Sequence, residues 1–377
     1  MAEPLPRRVA ESQLRPRLAE LLDAAGVVDN RDLLYDMLNT VLRMGSDGID
    51  RLNLKITRAA LREMRQAYRV FAPYHQVPKV TVFGSARTLP QDPLYHQACN
   101  LARELADAGW MVVTGAGPGI MAAATEGAGP ERSIGVRIRL PFEEEASPVL
   151  AADPKLVTMK YFFTRKLMLM KESAGFVILP GGFGTLDETF ELLTLLQTGK
   201  AAPAPLVLLD IPGGTYWRSA EAFIRFELVA RGLVSEQDVL LWQRTDSVAT
   251  AVSEILGFYR NYHSIRFVGD TMVLRLRAAP TDAELEGLNR DFHDLCDEGG
   301  LWRTAPFPDE VADGDHLDLA RVALTFNRSS HGRLQELIGA LNDLPSAPPL
   351  AIPDVHAVDA AASPPETGEH PLPLPEE

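Results

Sequence analysis

Helical spacing of apolar residues dominates the start of the chain. Apolar side chains recur every three or four positions within residues 18–22, 33–42 and 56–68, and the pattern is interrupted at 45–48 and at Pro73. Such spacing places the apolar side chains on one face of a helix. We therefore predict a helical N-terminal extension over residues 1–75.

Short apolar runs alternate with helical stretches from residue 76 to residue 262. The runs are continuously apolar, which is typical of strands that are buried on both faces. The predicted strands are 79–84, 110–114, 133–138, 175–179 and 205–209. The predicted helices are 97–108, 120–127, 160–173, 185–198, 216–231 and 247–259. This alternation indicates an α/β fold with a doubly wound parallel sheet of the Rossmann-like type.

The last third of the chain predicts a smaller unit followed by a tail. Residues 263–344 combine strand-like runs with amphipathic helices, which indicates a small C-terminal α+β unit. The strands are predicted at 266–268, 272–276 and 320–326, and the helices at 282–296 and 332–341. Residues 345–377 contain nine prolines and neither an aromatic nor a basic residue. Such a segment has too few apolar groups to form a core, so we predict a disordered tail.

The formal net charge of −14 changes the picture only when it is divided along the chain. Residues 281–318 carry 12 acidic and two basic side chains, and residues 345–377 carry six acidic ones and no basic one. The remainder of the chain sums to +2, so a phosphate site in the central domain is not excluded. The overall acidity argues against a nucleic-acid-binding surface.

Other classes of protein are excluded by the absence of their signals. No apolar run is long enough to span a membrane, and no apolar stretch follows Arg7 and Arg8 to make a secretory signal. Cys99 and Cys296 lie far apart, and neither a CxxC nor an HExxH motif is present. We therefore expect a cytoplasmic protein without a metal site.

Three of the predicted strands end in glycine-containing turns. These turns are 84–87, 115–119 with glycines at Gly115, Gly117 and Gly119, and 180–185. Glycine lets the backbone approach a ligand closely, and the start of a helix directs free N–H groups at an anion. In a doubly wound sheet the carboxyl ends of the strands lie at one edge. The three turns therefore predict a phosphate-binding site, although one such turn alone is common in this fold.

The glycine spacing fits a mononucleotide better than a dinucleotide. Gly115, Gly117 and Gly119 form GxGxG instead of GxGxxG, and the next strand, around 136–140, ends without the carboxylate that holds a ribose. The chain also lacks the GxxxxGK[ST] motif of P-loop NTPases. An NAD(P)-dependent oxidoreductase is thus disfavoured but stays open as an alternative.

Two charged residues are candidates for chemistry. Glu188 follows Thr185 at the spacing of a capping box, so it either caps a helix or lies beside the sugar of a ligand. Arg165 lies three residues after Phe162, close to the apolar face of its helix. A cation there either extends to water or binds a phosphate or carboxylate. Lys166 beside it is open to the same two interpretations.

Residues 180–188 match the PGGxGTxxE motif of the Lonely Guy (LOG) family, and Arg165-Lys166 matches the RK that accompanies it. The resemblance extends over about residues 77–261. Its long bacterial members have extensions that resemble those of this chain. Ala122 stands where many of those members have Glu. The family was long labelled as lysine decarboxylases, and its characterised members are phosphoribohydrolases of cytokinin riboside 5′-monophosphates or related nucleotides.

The resemblance implies that Arg165 and Glu188 are the catalytic pair. It implies substrate or phosphate binding by a larger set, namely Ser85, Gly115, Gly117, Gly119, Glu143, Lys166, Gly181, Gly182, Gly184, Thr185 and Thr194. It also implies a homodimer or larger assembly with active sites near the subunit interface. The expected reaction is hydrolysis of a nucleoside 5′-monophosphate to free base and ribose 5-phosphate, without a cofactor. A nucleotide-binding sensor without turnover is the alternative.

Overall fold

The computed structural model describes residues 11–139, 150 and 153–350. Glu143 and residues 351–377, which include most of the predicted tail, lie outside the described residues. The chain divides into two compact units, residues 1–65 and residues 66–377. The first unit contains helices α1 (Glu11–Ala24) and α2 (Arg31–Ser46) and the start of α3 (Arg51–Phe71).

The second unit begins with the rest of α3 and contains a seven-stranded sheet. Its strands are β1 (Lys79–Phe83), β2 (Met111–Thr114), β3 (Ser133–Ile138), β4 (Leu156–Met159), β5 (Gly175–Ile178), β6 (Leu206–Leu209) and β7 (Gln243–Thr245). The strand order is β4-β3-β2-β1-β5-β6-β7, and all neighbouring pairs are parallel. The predicted doubly wound parallel sheet is therefore confirmed.

Helices connect the parallel strands, as the predicted alternation requires. They are α4 (Pro93–Asp107), α5 (Ile120–Ala128), α6 (Phe162–Lys171), α7 (Phe183–Gln197), α8 (Tyr216–Phe223) and α9 (Val248–Gly257). Helices α4, α5 and α9 share one apolar core with β1, β2, β5 and β6. The start of α4 illustrates the local signals: the Asp92 side chain accepts a hydrogen bond from the Leu94 N–H at 2.8 Å, and Pro93 follows it.

The strand order reverses between β1 and β5. The chain moves outward from β1 to β4 on one side, and then crosses back to place β5 on the other side of β1. The connections that leave the two strands therefore run in opposite directions, which opens a crevice at their carboxyl ends. The turns that follow β1 and β5 are two of the three predicted glycine turns.

A second, antiparallel sheet follows. Its order is β10-β11-β9-β8, built from β8 (Tyr262–Val268), β9 (Thr271–Leu276), β10 (Cys296–Arg303) and β11 (Ala320–Phe326). Helices α10 (Asp282–Phe292), α11 (Pro308–Asp313) and α12 (His331–Asp343) accompany it. The predicted helix 282–296 is too long: it ends at Phe292, because Leu295 is fully buried and its carbonyl accepts the Asn327 N–H at 3.0 Å.

One asparagine joins the two sheets of the second unit. Asn342 in α12 accepts the backbone N–H groups of Asn261 and Tyr262, both at 2.8 Å, and donates to the carbonyl of Phe258 at 2.6 Å. The chain then continues along this junction, where Arg260 donates to the carbonyl of Pro348 at 2.8 Å. The first residues of the predicted tail are thus in contact with the folded unit.

None of the helices within the described ranges is long and apolar enough to cross a membrane.

Candidate functional site

Backbone hydrogen bonds join the glycine turns at the crevice. The Ser85 N–H, after β1, donates to the carbonyl of Pro180, after β5, at 3.2 Å. The Ser85 carbonyl in turn accepts the N–H of Ile120, the first residue of α5, at 3.0 Å. Gly119 adopts φ +68° and lies so close to the Ser85 carbonyl that a Cβ would overlap it. The structure therefore brings the three predicted turns together at one edge of the sheet.

Arg165 reaches the second turn from α6. Its guanidinium lies directly against Gly115, where a Cβ would overlap the Nη2 atom. The Met121 side chain lies against the same glycine and against Gly117. A side chain at position 115 would displace the guanidinium, so the glycine is required here by close approach and not by its φ angle.

Arg165 and Glu188 form a buried ion pair. The Arg165 Nη1 donates to Glu188 Oε1 at 3.2 Å, and Nε donates to the backbone carbonyl of Val136 at 3.0 Å. The two residues are only 8% and 7% exposed. The two residues that the sequence proposes as a catalytic pair thus meet, although 23 positions separate them.

Burial raises the pKa of the Glu188 carboxyl group, and the positive charges of Arg165 and Lys166 oppose that shift. A carboxylate with a raised pKa is a better proton acceptor than a solvated one. Such a shifted carboxyl at a ligand-binding edge is typical of a group that moves protons.

The start of α7 lies beside this pair. The helix begins at Phe183, and its N-cap residue, Gly182, makes no side-chain capping bond. Thr185 is buried, with its hydroxyl packed over Gly181, and Gly182 and Gly184 are exposed. The first N–H groups of the helix therefore remain available to an anion.

The capping-box alternative for Thr185 and Glu188 is wrong. Helix α7 begins two residues before Thr185, so Thr185 is not the N-cap. The Glu188 side chain binds Arg165 instead of a backbone N–H at the helix start.

Other predicted site residues make contacts of their own. Lys166 pairs with Asp187 at 2.8 Å and with Glu191 at 2.5 Å, both on α7. Thr194 is exposed two turns beyond Glu188, and its hydroxyl donates to the Phe190 carbonyl at 2.7 Å. These contacts of Lys166 and Thr194 are thus with other residues of α7 and not with Arg165 or Glu188.

Ser85 lies in the β1 turn itself, with its hydroxyl accepting the Arg87 N–H at 3.1 Å. Glu143 lies in the part of the chain that is not described. No cluster of three or more potential metal ligands occurs among the residues that the structure describes.

Sequence reasoning did not identify Tyr216. Its hydroxyl, at the start of the helix that follows β6, donates to the carbonyl of Gly181 in the turn after β5 at 2.7 Å. The sequence gives no signal for it, because Tyr216 and Gly181 are 35 positions apart and meet only through the strand order.

A family model described as "Possible lysine decarboxylase" matches residues 119–255. A probable cytokinin riboside 5′-monophosphate phosphoribohydrolase of Oryza sativa subsp. japonica is 31% identical over 141 residues, which cover 37% of this chain and 64% of that protein. A cytokinin riboside 5′-monophosphate phosphoribohydrolase of Arabidopsis thaliana is 39% identical over 71 residues, 19% of this chain and 32% of that protein. The chain thus spans between a third and two thirds of the length of these relatives.

Among solved structures, a molybdenum cofactor carrier protein from Chlamydomonas reinhardtii covers 47% of this chain and 94% of its own. It is 23% identical, with a TM-score of 0.33, which is too low to bear on function.

Proposed function

The match of the central domain to the LOG family is confirmed, and from it we propose that this domain hydrolyses a nucleoside 5′-monophosphate. The products are the free base and ribose 5-phosphate, and the substrate is AMP or a cytokinin riboside 5′-monophosphate. The observation that supports this best is the buried Arg165–Glu188 pair beside glycine turns that converge at one sheet edge.

The phosphate is bound by backbone N–H groups at the start of α7. Gly182, Gly184 and Thr185 line this end of the helix, and its positive dipole favours a dianion. Ser85 is adjacent through its bond to Pro180. Fixing the phosphate places the ribose over the ion pair and makes the attack of water intramolecular in effect.

Glu188 acts on the ribose and the attacking water. Breaking the N-glycosidic bond builds positive charge on the ribose ring, which a nearby carboxylate stabilises. The carboxylate also accepts a proton from water as the water bonds to the anomeric carbon. The leaving base gains a proton at its nitrogen, so the net reaction consumes one water molecule. Arg165 holds Glu188 in place through Oε1, and its positive charge favours the ionised form of the carboxyl group.

Product analysis tests this function. Purified protein is incubated with a panel of nucleoside 5′-monophosphates, and the products are identified by mass spectrometry. The matching nucleosides, which lack the phosphate, are the control substrates. We expect ribose 5-phosphate and free base from a monophosphate and no cleavage of its nucleoside. Tight binding of AMP without any product would contradict a hydrolase and indicate a nucleotide sensor.

We also propose that the protein assembles as a homodimer or larger homo-oligomer. Helices α6 and α7, which carry the ion pair, also expose large apolar side chains: Phe162, Phe163, Phe183 and Phe190 are 52%, 55%, 93% and 41% exposed. Exposed aromatic groups of this kind mark association surfaces.

Sedimentation velocity measures the assembly state. We expect the wild-type protein to be dimeric or larger, and the Phe190→Asp variant to be shifted toward monomer. Phe226→Asp is the control, since Phe226 is 75% exposed on a segment that carries neither member of the ion pair. A monomeric wild-type protein would contradict the proposal.

A further inference from the structure

Tyr216 contacts the loop that begins α7. It is the first residue of α8, and its hydroxyl donates to the Gly181 carbonyl at 2.7 Å. Gly181 belongs to the 180–185 turn, so the bond connects the end of β6 with the turn after β5. Burial raises the pKa of the Tyr216 hydroxyl above its usual value, so the group remains a donor at neutral pH.

Tyr216 is itself held rigidly. Its backbone N–H donates to the Asp210 carboxylate at 3.1 Å, and the second oxygen of that carboxylate accepts the Ile211 N–H at 2.9 Å. Asp210 is 6% exposed. The Trp217 ring is almost fully buried and packs edge-to-face on the Tyr216 ring, with 4.8 Å between centroids. The hydroxyl is therefore presented from a fixed turn and not from a mobile side chain.

A bond to the Gly181 carbonyl fixes the orientation of the next peptide N–H. The C=O and N–H of a trans peptide point to opposite sides of the chain. When Tyr216 holds the Gly181 carbonyl on its side, the Gly182 N–H points to the other side. Gly182 is the exposed N-cap of α7, with freedom to rotate its peptide. The hydroxyl thus sets the direction of the first donor in the row of N–H groups at the helix start.

We propose that Tyr216 is a positioning residue for phosphate binding: it orients the Gly181–Gly182 peptide so that the Gly182 N–H faces the substrate phosphate. This inference rests on the proposed function, because it assigns the ligand of the turn as a phosphate monoester. Tyr216 contacts the loop and not the reacting atoms, so it affects binding more than the chemical step.

The test compares Tyr216→Phe with wild type in two measurements. Calorimetric titration with ribose 5-phosphate reports binding without turnover, and steady-state kinetics separate KM from kcat. We expect the Phe variant to bind ribose 5-phosphate roughly 3- to 10-fold more weakly, which corresponds to the loss of one ordinary hydrogen bond. We expect KM to rise by a similar factor while kcat changes less than about twofold.

Tyr259→Phe is the matched control. Its hydroxyl also donates to a backbone carbonyl, that of Ala174, at 2.8 Å. Ala174 immediately precedes β5, at the end of the strand opposite to the glycine turns. This variant loses the same kind of bond without touching the loop, so its affinity for ribose 5-phosphate should equal that of wild type.

A second variant, Gly214→Ala, disturbs the turn between β6 and α8 that holds Tyr216 and leaves the tyrosine itself unchanged. A Cβ at Gly214 would overlap the Asp210 carboxylate, so Gly214→Ala displaces the turn that presents Tyr216. We expect it to weaken ribose 5-phosphate binding while the hydroxyl is retained.

Each outcome decides between the two proposals. Unchanged binding in both Tyr216→Phe and Gly214→Ala, or an equal loss in Tyr259→Phe, would overturn the positioning role. A wild-type protein that binds ribose 5-phosphate but releases none from any nucleotide would overturn the hydrolase and leave the positioning role to be judged by binding. A wild-type protein that does not bind ribose 5-phosphate would overturn the positioning role, whereas the hydrolase is decided by the release of ribose 5-phosphate and free base from a nucleotide.

Discussion

Glu188 and Glu310 are both buried carboxylates that bind arginine, and their surroundings differ. Glu310 in the C-terminal unit is fully buried, and four donors surround it. Arg275 donates to Oε1 through Nε at 2.9 Å and Nη2 at 2.7 Å, while Arg321 and the Phe307 N–H donate to Oε2 at 3.2 and 3.1 Å. Glu188 has Arg165 as its side-chain donor, through one nitrogen at 3.2 Å.

The difference in donors reverses the pKa shift. Burial acts to raise the pKa of both carboxyl groups. At Glu310 the hydrogen bonds from Arg275, Phe307 and Arg321 outweigh burial, and the pKa is lowered. At Glu188 burial outweighs Arg165 and Lys166, and the pKa is raised. A carboxylate that accepts hydrogen bonds from several donors stabilises the fold, whereas a carboxylate whose pKa is raised by burial is suited to exchange a proton with a ligand.

The largest effect is expected from Glu310→Ala. The substitution leaves the buried Arg321 guanidinium without its counter-charge and leaves Arg275 with Asp315 alone, which costs about 3–5 kcal/mol in the free energy of unfolding. Denaturant-induced unfolding measures this loss, with Glu336→Ala as a partly exposed control on the same unit. A loss below about 1 kcal/mol would show that the hydrogen bonds of Glu310 to Arg275 and Arg321 do not stabilise the fold.

Glu188→Gln should lower activity more than stability, which is the reverse of the effect expected from Glu310→Ala. We expect turnover of the nucleotide to fall by roughly 10²-fold or more, because the amide can neither accept the proton from water nor stabilise the ribose cation. Stability should fall by less than in Glu310→Ala, because the amide oxygen of Gln still accepts the hydrogen bond from Arg165. Glu191→Gln, three residues further along α7, is the control for the helix. Wild-type turnover in Glu188→Gln would remove it from the catalytic role.

The pH dependence of activity should separate the two cations near Glu188. Turnover that needs the carboxylate falls as the pH drops through the pKa of Glu188. Arg165 is the larger of the two influences that lower this pKa, and Lys166 the smaller. Arg165→Met should therefore move the acidic limb of the kcat/KM profile to higher pH, and Lys166→Met should move it less in the same direction. A larger shift of the acidic limb in Lys166→Met than in Arg165→Met would show that Lys166, and not Arg165, is the main influence that lowers the pKa of Glu188.

The smallest effect is expected from removing residues 351–377. This segment carries six acidic and no basic side chains and adds only negative charge to the unit for which we propose anion binding. Turnover at physiological ionic strength should stay within about twofold of the full chain. Removal should begin after Leu350, because the backbone of Pro348 and Ser346 is bonded to Arg260 and Glu284. A large loss of activity would make the segment part of the site.

The sequence predicts the central sheet well because its strands are buried on both faces. β3 of the central sheet and β11 of the antiparallel sheet lie where the patterns place them, at Ser133–Ile138 and Ala320–Phe326. The two edge strands of the central sheet, β4 at Leu156–Met159 and β7 at Gln243–Thr245, were missed because both contain polar or partly exposed positions. β10 was missed because its acidic and glycine-rich start resembles the end of a helix.

The candidate site is predictable where it depends on motifs and not where it depends on strand order. Arg165 and Glu188 were candidates from their chemistry and were paired by the resemblance to the LOG motifs, and the structure joins them. The Val136 carbonyl that orients Arg165 comes from β3, and the Tyr216 hydroxyl that binds Gly181 comes from α8, the helix after β6. Only the placement of β3 and β6 around the crevice reveals such partners.

The hydrogen bonds of Asn342 have a consequence for how the second unit unfolds. The Asn342 side chain binds the segment between α9 and β8. Helix α12, which accompanies the antiparallel sheet, is therefore bonded to the segment that follows the last helix of the parallel domain. Helix α12 cannot separate from this segment without breaking the three bonds together. Heating should therefore unfold both sheets in a single cooperative step. A fragment that ends before α12 would lack the hydrogen bonds that Asn342 makes to the end of the parallel domain.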